Sequence, residues 1–170
     1  MRRSNQFLLT FIFSLLISPF VRAESGLFIE PAVTYETGTL NLQYPAPFSN
    51  SDETLRGYGL GIRFGGHFHD TLFYALDGRF SKPNYDSSAL GASAEAMVSN
   101  VGLTLGVQTP FFGVRLWGTY ILDGSLDPGR VNNVDLKYGG FKGYRVGAGL
   151  HVLVVSVNLE YQEGDYGSTG

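Results

Sequence analysis

The sequence predicts an all-β fold: an antiparallel up-and-down transmembrane β-barrel, with seven strands visible of an expected eight. Three observations predict it. Seven segments alternate apolar and polar residues with period two. The chain holds 23 glycines and 14 % aromatics, a composition that weakens helices and suits strands. Short turns and long polar loops take turns along the chain, as in outer-membrane barrels.

The alternation is explicit in every segment. Leu27, Ile29, Pro31, Val33 and Tyr35 interleave with Glu30, Ala32, Thr34 and Glu36. Tyr58, Leu60, Ile62 and Phe64 oppose Gly59, Gly61, Arg63 and Gly65. Leu72, Tyr74, Leu76 and Phe80 oppose Ala75, Asp77, Arg79 and Ser81. In the segment from Met97, Val101, Leu103, Leu105 and Val107 oppose Asn100, Gly102, Thr104 and Gly106. Phe112, Val114, Leu116 and Tyr120 oppose Gly113, Arg115, Trp117 and Thr119. Tyr144, Val146, Ala148 and Leu150 oppose Gly143, Arg145, Gly147 and Gly149. Val155, Val157, Leu159 and Tyr161 oppose Ser156, Asn158, Glu160 and Gln162. Each run is about ten residues, the length of a tilted strand crossing a bilayer.

"HFHDT" and "QTPF" read as short turns, and the stretches Glu36–Arg56, Lys82–Ala94 and Asp123–Lys142 as long loops. A third short turn falls at His151–Val154, where the apolar parity flips. Without it one strand from Gly143 to Tyr161 would run roughly 60 Å, against an apolar band of about 25 Å.

Residues 1–23 read as a secretory signal peptide. Arg2 and Arg3 precede the apolar run "FLLTFIFSLLI", and Ala23 offers a small residue at a cleavage edge. The barrel domain then covers residues 24–170. Without Arg2, Arg3 and Arg22, nine basic residues face fifteen acidic ones, a net charge near −6 that argues against nucleic acid as partner. The chain has no cysteine, so no disulfide holds it.

The polar face of the strands carries Glu30, Arg63, Asp77, Arg79, Arg115, Arg145 and Glu160 near mid-strand. Four guanidiniums and three carboxylates suit a narrow lumen filled by paired side chains, with glycines making room for the long ones. Every basic residue of that face is arginine, whereas Lys82, Lys137 and Lys142 fall in loops. The aromatics Tyr35, Phe64, Phe68, Tyr74, Phe80, Phe112, Tyr120, Tyr144 and Tyr161 sit towards strand ends, as girdle residues do. The competing reading is a soluble β-sandwich with the charged face in water and the apolar face packed within.

No motif points to catalysis, a cofactor or a metal. His67 and His69 flank one turn and His151 another, without a clear third ligand. A Ser156–His151–Glu160 triad would place its histidine at the rim opposite the outer leaflet.

"GYGLGIRFGGHF", "GLTLGVQTPFFGVRLWGTY" and "GYRVGAGLHVLVVSVNLEYQ" resemble the hairpins of small OmpA/OmpX-like outer-membrane proteins, across nearly the whole of residues 24–170. The resemblance implies an eight-stranded barrel with a filled interior, insertion by a barrel-assembly machinery, and roles in adhesion, envelope stability or host contact. Two features depart from it: seven strands rather than eight, and no final strand ending in an aromatic residue. The expectation is a truncated barrel lacking its last strand. The expected location is the outer membrane, among its lipids and lipopolysaccharide. The expected role is structural or surface contact with a host or surface ligand. Loop one contributes Phe48, Asp52, Glu53 and Arg56, and loop three Asp127, Arg130, Asp135, Lys137 and Tyr138. A narrow channel, a lipid-modifying enzyme and a soluble periplasmic lipid-binding barrel are the alternatives.

Overall fold

The computed structural model describes residues 7–15, 26–42, 51–69, 71–87, 92–109, 113–131, 134–135, 137–152 and 155–169. All regular structure among them is β. In chain order the strands are β1 (Phe7–Leu15), β2 (Leu27–Leu42), β3 (Ser51–Phe68), β4 (Leu72–Ser87), β5 (Ala92–Glu95), β6 (Met97–Gln108), β7 (Val114–Asp127), β8 (Arg130–Val131), β9 (Val134–Asp135), β10 (Tyr138–Gly139), β11 (Lys142–Val152), β12 (Val155–Asp165) and β13 (Ser168–Thr169).

The seven long strands after β1 are the seven alternating segments of the sequence. They pair antiparallel in the order β2-β3-β4-β6-β7-β11-β12, neighbour to neighbour. Successive antiparallel pairing makes β2 and β12 run the same way. They cannot close on each other antiparallel, and an up-and-down ring needs a strand between them. That place is taken by β1, paired antiparallel with β12 from Leu8↔Gln162 to Leu15↔Val155 and with β2 from Phe7↔Thr39 to Phe13↔Val33. The segment that reads as an export signal thus lies in the eighth position, which the sequence alone leaves vacant.

Exposure follows the alternation. On β4 every second residue is exposed from Leu72 to Asp86 except Gly78, and the residues between are buried. The outward apolar set includes Leu60, Leu76, Leu103, Leu105, Leu116 and Leu159, with Leu105 71 % exposed. Leu72 to Phe80 spans about 26 Å along the strand, a height of roughly 20 Å at the usual tilt.

Four strands, β2, β3, β4 and β7, run to 14–18 residues. Beyond Tyr58 and Phe80 the outward positions turn polar, with Arg56, Thr54 and Asp52 on β3 and Lys82, Asn84 and Asp86 on β4. The stretches 36–56 and 82–94 are therefore largely strand rather than loop. Lys82 lies within β4 and Lys142 opens β11, correcting their placement in loops; both are exposed, so neither enters the interior.

One irregularity interrupts the ladder. Register shifts between Val101 and Gly102, where Asp123 and Ile121 are successive partners and Leu122 is the extra residue. Ile121 keeps the inward parity of Trp117 and Thr119, Leu122 and Asp123 are both exposed, and beyond the bulge Gly124 and Leu126 face inward instead.

Inside, the barrel has two kinds of filling. At the loop end Leu40, Leu55, Tyr85, Ala96, Leu126 and Tyr138 form a buried apolar cluster, joined by Val98 and Tyr166. Below it the interior is polar and charged.

Candidate functional site

The lumen is built from alternate residues of the long strands. The inward positions of β3 are Glu53, Leu55, Gly57, Gly59, Gly61, Arg63 and Gly65. The glycines leave room for long side chains from the neighbouring strands, Arg79 beside Gly61 and Trp117 beside Gly147. A Cβ on Gly61 would stand 2.8 Å from Arg79 Cδ, and one on Gly147 would stand 2.3 Å from Trp117 Cε2. Long guanidinium arms and an indole occupy the space that small residues vacate.

Asp77, 1 % exposed, is the hub. Its Oδ1 accepts from Arg79 Nε at 2.8 Å and from Arg145 Nη1 at 2.8 Å. Its Oδ2 accepts from Arg63 Nε at 3.1 Å and Nη2 at 3.0 Å, and from Arg79 Nη2 at 3.1 Å. Three arginines from three strands converge on one carboxylate. Glu160 provides the second anchor: its Oε1 accepts from Arg79 Nη2 at 3.0 Å, Arg63 Nη2 at 3.4 Å and Trp117 Nε1 at 3.1 Å. Its Oε2 stands 3.7 Å from Arg145 Nε. Towards the short turns Arg115 donates to Glu30 Oε2 at 3.0 Å and to Gln108 Oε1 at 2.7 Å.

All seven charges expected in the lumen are there and joined in one network. The sequence reading misses four members, Glu36, Trp117, Gln162 and Asn100. Glu36 is buried, accepting from Ser81 Oγ at 2.8 Å and Thr34 Oγ1 at 3.3 Å. With Glu36, four carboxylates face four arginines and the layer is neutral. Trp117 lies under Arg63, whose guanidinium carbon is 5.0 Å from the ring centroid, a cation–π contact. Gln162 and Asn100 fix Arg145 from the sides at 2.8 Å and 2.7 Å. A signal for Glu36 and Trp117 exists in the sequence, since both share the parity of the charged positions on their strands.

The loop residues divide. Asp52 and Arg56 are exposed on the outward face of β3. Asp127 Oδ1 accepts from Gly129 N at 2.9 Å, and its Oδ2 pairs with Lys137 Nζ at 3.1 Å. Together these contacts hold its carboxyl below the ordinary range, the Gly129 amide first and the lysine second. Two residues expected to contact a partner are corrected. Glu53 is fully buried, taking a hydrogen bond from Ser87 Oγ at 3.0 Å, and Tyr138 belongs to the apolar cluster. The cause is the length of β3 and the inward turn of loop three, which bring both into the barrel mouth. Arg130 and Asp135 are backbone register partners in the short ladder of β8 and β9. Phe48 lies outside the described residues.

Among the described residues no group of three or more His, Asp or Glu is placed to hold a metal ion. His67 lies inside the turn end, 5.0 Å from Phe28 between ring centroids and 6.2 Å from Phe73. His69 takes a positive φ of 58° at the turn itself. His151 and Ser156 are backbone partners in the hairpin β11–β12, while Glu160 is committed to the arginine network.

No family model, curated protein or solved structure matches this chain.

Proposed function

We propose that this chain is a small outer-membrane β-barrel of the OmpA/OmpX-like kind, with a plugged, charge-paired lumen. Its role is structural or one of surface contact, carried by the long-loop end. In this reading the apolar start of the chain directs export without being removed, so that residues 7–15 remain as β1 between β12 and β2, and lipids and lipopolysaccharide surround the belt.

The observation that carries the reading is the division of chemistry between the two faces. The outward positions form a ring of Leu, Ile, Val, Phe and Tyr, and the inward ones a neutral layer of arginines and carboxylates. A soluble protein would gain by the reverse, because an exposed apolar belt of this extent drives association in water. In a bilayer the same belt is satisfied by acyl chains, and among the described residues the ring of strands closes through β1.

The filled interior favours a structural role over conduction or ligand storage. Arg63, Asp77, Arg79, Arg145 and Glu160 are each less than a tenth exposed, and the loop end is closed by Leu40, Leu55 and Leu126. A lipid-binding barrel needs an apolar interior at that level, where this one holds charges.

Membrane fractionation with gel migration before and after boiling tests the proposal. A band in the outer-membrane fraction that shifts on heating supports it. A band in the soluble fraction with no shift would refute it.

A further inference from the structure

A hollow of about 10 Å³ lies within the charged layer of the lumen. Glu30, Ala32, Gly61, Arg63, Arg79 and Asn158 line it, from β2, β3, β4 and β12. About 10–15 Å³ is room for a single water.

Asn158 is 3 % exposed, and its Oδ1 has no hydrogen-bond partner among the described residues. The register accounts for the lack. Its partner on β11 is Gly149, which has no side chain, and its partner on β1 is Ile12, a residue type without a donor. An unpartnered buried amide is costly, and native interiors pair such groups with protein or with ordered water. Across the same hollow Arg63 Nη1 stands 3.7 Å from Glu30 Oε2, beyond direct hydrogen-bond reach. A polar gap of that width is where a water bridges. The walls are not free to close it. Arg63 and Arg79 are each tied to Asp77 and Glu160, and Arg115 holds Glu30 at 3.0 Å.

We propose that this hollow is a binding site for one water molecule, which bridges the Asn158 amide to Glu30 and Arg63. A water can donate to the amide oxygen and to the carboxylate while accepting from the guanidinium, the three bonds usual for a buried water. A metal cation suits the site less. Arg63 and Arg79 border it, and the four arginines already balance four carboxylates. An anion would meet the Glu30 carboxylate and the unpartnered amide oxygen, both acceptors. The water joins β12 to β2 past the Ile12 position of β1, which is register partner to both Asn158 and Thr34. The site lies wholly inside the ring and is the same whatever surrounds the outer face.

The full chain, refolded in detergent, would be crystallised to a resolution that shows ordered water, as wild type and as Asn158→Leu. Leucine keeps the bulk of the side chain and removes the amide. The proposal expects one peak in the wild type, about 2.7–3.2 Å from the Asn158 amide, Glu30 and Arg63, and none in N158L. An empty hollow in the wild type overturns it. So does a peak with several oxygens at about 2.3–2.6 Å, which is a hard cation. So does a peak unchanged in N158L, because the amide then holds nothing. Urea titration is a second readout that needs no crystal. A bridged amide makes N158L unfold at lower urea than the wild type. Unfolding at higher urea overturns the proposal, because a dry, unpartnered group has then left with the substitution. Where N158L does not fold, the wild-type map alone decides.

Discussion

Arg145 donates to Asp77 at 2.8 Å from the far wall of the barrel, tying β11 to β4 across 68 residues of sequence. Arg63 and Arg79 reach the same carboxylate, so removing it strands three buried guanidiniums. Asp77→Ala should cost about 3–5 kcal/mol, the usual penalty for breaking a buried pair from one side. Urea titration of the heat-modifiable form would measure it. The double variant Asp77→Ala with Arg145→Met should recover part of the loss, since one uncompensated charge goes with its partner.

Gly147 lies against the Trp117 ring, and a Cβ there would overlap it. The indole is held by Glu160 and Arg63, so it has nowhere to turn. Gly147→Val should destabilise the barrel by about 1–3 kcal/mol, as overpacking of a filled interior does. The same titration reads the loss, and a shift of tryptophan emission would show the ring displaced.

Arg115 guards the short-turn side of the lumen through Glu30 and Gln108. Its removal leaves the Asp77 layer and the loop-end cluster of Leu40, Leu55 and Leu126 in place. Arg115→Ala should therefore show no steady conductance in planar-bilayer recording. Defined openings in that variant would mean that the charge network is a gate and not a plug.

Asp127 links loop three through Gly129 and Lys137. Its carboxyl is held below the ordinary value of 3.8, so the charged form is favoured in the folded loop. Its contribution is complete above that value and is lost as pH falls through the lower folded one. Pepsin cleavage of loop three, corrected with an unstructured peptide, should rise over about pH 4 to 2 in the wild type. Asp127→Asn should be cut readily throughout.

The sequence makes the alternation plain because one face is greasy and the other is not. It locates all seven lumen charges for the same reason: parity alone assigns a strand residue to a face. Parity also reaches Glu36 and Trp117, but the alternation is plain only as far as Glu36 on β2, and an indole is amphipathic, so neither stands out as a member of the charged layer. Glu53 and Tyr138 were not legible as buried. Their burial depends on strands extending past the belt and on loop three folding back, neither of which leaves a periodic mark. The eighth position was hidden differently. "FLLTFIFSL" is apolar at so many places that its fit to a strand disappears beneath its likeness to a signal. Residues 24–170 alone would leave β2 and β12 as unpaired edges. That fragment is expected to give no heat-modifiable band, and a band from it would show that the edges pair without β1.

The division of faces can be read directly, because a chain free of cysteine accepts one at any site. Single cysteines from Leu72 to Ser81, nitroxide-labelled in phosphatidylcholine vesicles, would be tested for collision with oxygen dissolved in the acyl chains. High collision is expected at Leu72, Tyr74, Leu76 and Phe80, and low collision at Phe73, Ala75 and Ser81. High collision at the second set, or uniform values along the strand, would contradict the account.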